Sequence, residues 1–75
     1  MSEEYDKWVE IGKCLKNLHI TLIDEMSKYN KSSKEVRHLE RADKANLRMR
    51  GALDDLMFAL YYPEKSGDEL TKVFF

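Results

Sequence analysis

The sequence predicts an all-α fold: an antiparallel two-helix hairpin with a short C-terminal tail, associating as a homodimeric four-helix bundle. Two apolar stripes and the small size of the chain carry that expectation. The first stripe reads Trp8, Ile11, Leu15, Leu18, Leu22, Met26 and Tyr29, and the second reads Leu39, Ala42, Asn46, Met49, Leu53, Leu56 and Leu60. Spacings of three and four residues put each stripe on one helical face that must be buried against another helix. At 75 residues the chain is a single domain near the size at which one core is barely sufficient. Cys14 is the only cysteine, so no internal disulfide can compensate. His19 and His38 lack the clustered partners of a structural zinc site, which leaves association as the remedy. Two hairpins stacked face to face share one core.

The single domain spans residues 1–75, with helix 1 expected over about 3–29, helix 2 over about 33–61 and the tail over 63–75. Ser2 is placed to cap helix 1, with Glu3, Glu4 and Asp6 near the positive end of its dipole. Asn30 suits the left-handed position that ends a helix, and Ser32 with Glu35 has the spacing of a capping box that starts the next. Pro63 stops helix 2, because the residue before a proline disfavours helical geometry. Gly12 and Gly51 fall inside the helices at a cost of about 1 kcal/mol each relative to Ala, which close backbone packing would justify. In the tail, Ser66 and Glu69 have capping-box spacing, and Leu70, Val73, Phe74 and Phe75 give one short helical turn something to dock with.

Asn46 sits in the middle of the second stripe. It either fixes register and oligomer state or occupies a hydrated gap. Ala45, Ala52 and Ala59 recur every seven residues beside that stripe and allow a further helix to approach closely. Ile20 and Ile23 lie off the main seam of helix 1, so the aromatic tail or a partner is expected to cover them.

The chain carries a formal net charge of −1, unevenly spread. Residues 1–30 hold four Lys against six acids, residues 31–50 seven Lys or Arg against three, and residues 51–75 two Lys against five. The central excess forms a stripe, Lys34, Arg37, Arg41, Lys44 and Arg48, again at helical spacing. Such a stripe is most simply a solvated face or a match to an acidic partner, and alternatively straddles a nucleic-acid backbone.

No catalytic residue, cofactor site or metal site is assigned. Glu35-x-x-His38 has the spacing of a carboxylate-bridged metal motif but falls in a helix's first turn, where capping is the simpler role. His19 and Cys14 read as packing residues, and Asp54 with Asp55 as a solvated face. The start is acidic, unlike a secretory or mitochondrial leader, and the longest apolar run, Leu56 to Tyr62, is far too short to span a bilayer. A cytoplasmic protein with no membrane contact is expected. The outline resembles that of the Rop-type plasmid copy-number proteins, dimers of two-helix hairpins that bind paired RNA loops; the likeness is of architecture, with no RNA-contacting motif matched residue by residue.

The leading expectation is a small non-enzymatic regulatory or adaptor protein. It associates with itself through the stripes, and it binds another protein through a helical surface made of Ile20, Ile23, Phe58, Tyr61, Tyr62, Phe74 and Phe75. The alternative is an RNA- or DNA-binding helical dimer that uses the basic stripe.

Overall fold

A computed structural model describes residues 2–75, with side chains from residue 4 onward. The Ser2 cap and the Glu3 side chain therefore lie outside the described residues. The fold is all-helical, with α1 over Ser2–Met26, α2 over Lys34–Tyr61 and α3 over Gly67–Phe74. Three helices replace the expected two and a tail. The C-terminal segment folds because it docks, since eight residues alone cannot repay helix nucleation.

Helix α1 stops three residues earlier than expected. Its last turn tightens: Ser27 N–H donates to both Ile23 O and Asp24 O, Lys28 N–H to Glu25 O, and Tyr29 N–H to Met26 O. These shortened bonds use the terminal carbonyls that further helix would need. The Ser27 hydroxyl adds a 2.6 Å bond to Asp24 O, the local competition by which serine ends helices. Asn30 does not adopt a left-handed conformation, as no described residue has positive φ. Its carbonyl instead accepts from Ser33 N–H and closes the turn.

The cap of α2 is Ser33, one residue later than expected, with its hydroxyl accepting from Val36 N–H at 3.2 Å. That register places Val36 inward, where it is buried. The expected Ser32–Glu35 capping box does not form, and Glu35 serves only as an acid in the first turn. Helix α2 ends at Tyr61, and the following Tyr62–Pro63 bond is cis. Ser66 then caps α3 as its spacing indicated, accepting from Glu69 N–H at 3.1 Å.

The antiparallel run of α1 beside α2 follows from pairs that count up one helix and down the other. The Tyr5 and Tyr61 rings meet edge to face at 5.2 Å, Leu15 O accepts from Asn46 Nδ2 at 2.9 Å, and His19 Nδ1 donates to Asp43 Oδ1 at 2.6 Å. Helix α3 lies against both at the end where the chain enters α1 and leaves α2. Met57, Leu70, Val73 and Phe74 form the buried core there, with Tyr5, Trp8, Val9, Leu15, Leu53, Phe58 and Tyr61 packed around it. A Cβ at Gly12 would collide with the Val73 carbonyl, so this glycine is where α3 touches the α1 backbone. Gly51 has nothing within reach of an added Cβ, so close packing does not account for it.

Docking also satisfies the C-terminal carbonyls of α3. Lys16 Nζ donates to Lys72 O at 2.9 Å, and Arg50 Nη1 reaches Phe74 O at 3.5 Å with its guanidinium 5.4 Å from the centroid of the Phe75 ring. Cations supplied by α1 and α2 thus meet the negative end of the α3 dipole.

The inward face of α2 is rotated from the expected seam. Leu39, Asn46 and Leu53 remain in the contact, but Val36 and Met57 are the buried apolar residues, while Met49, Leu56 and Leu60 are exposed. Covering Met57 and Phe58 with α3 turns the other apolar flank outward.

Candidate interaction surfaces

Successive helical residues are separated by about 100°, which fixes where each side chain sits relative to α3. On α1, Gly12 and Lys16 mark the flank under α3, and on α2 Arg50 and Phe58 do so. Ile11, Leu15, Leu18 and Leu22 fall on the opposite flank of α1, and Ala42, Ala45, Met49, Leu56 and Leu60 on the opposite flank of α2. The helices are antiparallel, so both flanks form one broad face. Leu18 is 44% exposed, Met49 48% and Leu60 52%. Between residues 8–22 and 42–60 no charged residue lies on it, although 36% of the chain is Asp, Glu, Lys or Arg. An open groove of about 410 Å³, lined by Glu4, Lys7, Trp8 and Ile11, marks its end beside Trp8.

A second apolar surface lies on the α3 side, past the C-terminus of α3. Ile20 is 63% exposed and Ile23 48%, and both fall on the α3-facing flank of α1. The expected cover from the aromatic tail is absent, because α3 docks nearer the other end of the pair, over Gly12 and Met57. A groove of about 430 Å³ opens there between Ile23, Met26, Tyr29 and Val36, with Lys31 and Glu40 at its rim.

The seven residues expected to form a protein contact do not share one surface. Phe74 is enclosed in the protein's own core, and Phe58 and Tyr61 are half-buried against it. Tyr62 is exposed and stacks on Phe58 at 5.8 Å, and Phe75 is exposed beneath Arg50. Only Ile20 and Ile23 stand together and free. The basic stripe Lys34, Arg37, Arg41, Lys44 and Arg48 is exposed along its length. None of its members joins an ion pair among the described residues.

Several polar groups take roles the sequence did not reveal. His19 pairs with Asp43, which ties α1 to α2 and selects a ring with hydrogen on Nδ1. Asn46 is buried, and its bond to Leu15 O ties α1 to α2 in register, while its Oδ1 has no partner among the described residues. Asp54 is not on a solvated face. One of its oxygens is buried without a partner, and burial, with Asp55 adding to it, raises its carboxyl above the ordinary value. Cys14 is exposed and free, so it is not the packing residue expected. Glu35 and His38 are both exposed. No group of three His, Cys, Asp or Glu capable of holding a metal occurs among the described residues. No helix of the described chain is long and apolar enough to cross a membrane.

Comparison with known proteins returns no match to a family model, to a curated protein or to a solved structure.

Proposed function

We propose that the chain is a non-enzymatic regulatory or adaptor protein of the cytoplasm, which self-associates as a four-helix bundle and binds another protein through a helical surface. The observation that carries the second half is the exposed pair Ile20 and Ile23 past α3, with Ile23 lining a groove beside Met26, Tyr29 and Val36. Helix α3 occupies the neighbouring stretch on the same side by inserting Leu70, Val73 and Phe74. An amphipathic helix of a partner fits the empty stretch by the same chemistry, apolar anchors at helical spacing laid into a groove. Exposed isoleucines gain nothing in water, and contiguous apolar patches mark binding surfaces.

The basic stripe supports the second reading, since five unpaired cations on one helical face suit a nucleic-acid backbone. It ranks lower because no aromatic residue interleaves the stripe and the chain as a whole is weakly acidic.

Affinity capture with three forms separates the two. Wild type and the Arg37→Gln, Arg41→Gln, Arg48→Gln variant are expected to retain the same protein, identified by mass spectrometry, and the Ile20→Ser, Ile23→Ser variant to lose it. Tight nucleic-acid binding that weakens steeply with salt, and that the Gln variant lacks, would reverse the ranking.

A further inference from the structure

We propose that a second copy of this chain covers the uncharged face opposite α3, with α1 of each subunit laid along α2 of the other. The inference rests on the reading of the chain as self-associating and assigns the surface and the pairing.

The absence of charge restricts the occupant. A partner bearing Lys, Arg, Asp or Glu across this face would strand each charge without a counter-ion, so the fitting surface is itself uncharged and apolar over the same length. Two side-by-side helix faces free of charge for some fifteen to twenty residues are unusual in a chain that is 36% charged. The second copy has this surface by construction of the symmetry. Among helical faces of this protein, the basic outer face of α2 cannot meet that requirement.

The area reaches the low end of what specific association needs. The molecule is 18 Å across its second principal axis, and the uncharged stretches, residues 8–22 of α1 and 42–60 of α2, run about 22 and 28 Å. The product of length and width is roughly 400–500 Å² on each subunit, or roughly 800–1,000 Å² in the pair, at the small end of specific interfaces.

Shape selects the pairing. The α1 row is bulky, with Ile11, Leu15, Leu18 and Leu22 at successive turns. The α2 row is small at one end and large at the other, Ala42 and Ala45 before Met49, Leu56 and Leu60. Bulky side chains of one helix seat over alanines of the facing one, so α1 complements α2 better than either complements itself. A two-fold axis parallel to the helices brings each α1 over the partner's α2, makes both such contacts at once and keeps neighbouring helices antiparallel. The groove of about 410 Å³ at the end of this face, where Glu4 and Lys7 join Trp8 and Ile11, then borders the facing α2.

Three measurements test this. Analytical ultracentrifugation at micromolar concentration is expected to give a dimer, and Ala45→Arg or Met49→Arg to weaken it on the order of 100-fold or more by burying unpaired charge. Both positions are exposed in the single subunit, so the far-UV helical signal is expected to stay unchanged. Ile20→Ser, on the other side, is expected to leave dimerisation intact. In a Cys14→Ser background, mixed chains carrying Leu18→Cys and Ala45→Cys are expected to oxidise chiefly to the heterologous pair.

A wild type that remains monomeric to about 100 μM would overturn both this inference and the self-association it rests on. A dimer indifferent to both Arg variants would leave self-association standing and overturn the assigned face. Disulfides chiefly between two Leu18→Cys chains would place α1 on α1 and overturn the pairing.

Discussion

The two broad faces of the α1–α2 pair both carry apolar side chains and have opposite fates. On one, α3 is seated by Leu70, Val73 and Phe74, and polar groups fix where it stops: Lys16 and Arg50 meet its terminal carbonyls and Gly12 admits the Val73 backbone. On the other, Met49, Leu56 and Leu60 meet no residue of their own chain that buries them. The covered face combines apolar area with cations suited to one short helix. The bare face has area without charge, which suits a longer apolar surface. Hydrophobicity alone therefore does not decide which side of a helix pair closes; the polar groups at the end of the docking segment do.

The largest effect that would break this contrast comes from truncating one anchor on each face. Phe74→Ala removes a fully buried ring, so a loss of about 3–5 kcal/mol is expected, with α3 released and the Trp8 emission shifted to the red. Leu56→Ala, on the bare face, is expected to cost under about 1 kcal/mol in dilute monomer, because its side chain already meets water. Urea titration at low protein concentration measures both. Equal losses would mean that the faces do not differ as described.

The helices could be read from the sequence because their signals are local. Ser66 three residues before Glu69, the proline after Tyr62 and the stripes at three-and-four spacing act within a turn or two. The orientation of α2 could not be read in the same way. Val36, Met57 and Phe58 make one apolar flank and Met49, Leu56 and Leu60 another, and periodicity cannot choose between overlapping stripes. Only the docking of α3 chooses. Residues whose setting depends on it carry no such signal: periodicity places Asp54 in solvent and leaves Phe74 available, and α3 buries both an Asp54 oxygen and the Phe74 ring. The His19–Asp43 pair had a usable signal, since the antiparallel register that opposes Asn46 to Leu15 also opposes these two. The exposure of Ile20 and Ile23 was legible, since it follows from their offset from the main seam.

A smaller effect sharpens the role of backbone contact. Gly12→Ala and Gly51→Ala are the same change in two helix interiors, and propensity alone favours both by about 1 kcal/mol. At Gly12 the new methyl collides with the Val73 carbonyl, so α3 must shift and a net loss of about 1–3 kcal/mol is expected. At Gly51 the space is open and the propensity gain is expected in full. Thermal unfolding should therefore move in opposite directions for the two variants. A stabilised Gly12→Ala would mean that α3 does not sit against the α1 backbone.

The smallest expected effect tests the polar side of the covered face. Asp54 has a buried, unpartnered oxygen, and its carboxyl is raised from 3.8 first by burial and then by Asp55. A carboxyl raised in the folded state costs stability when charged, since unfolding returns it to water at its ordinary value. That cost is complete above the raised folded value and disappears as pH falls through it toward and below 3.8. Asp54→Asn removes the charge at every pH with little change in shape. It is expected to stabilise the protein by up to about 1 kcal/mol at pH 7, with the gain vanishing by about pH 3, as read by denaturant titration at several pH values. The bare face has no titratable group between residues 42 and 60 of α2, so Met49→Leu there should show no such pH dependence. If Asp54→Asn instead destabilises the protein at pH 7, the carboxylate has a favourable partner in solution, and the covered face is held by a charge pair rather than by apolar anchors and carbonyl caps alone.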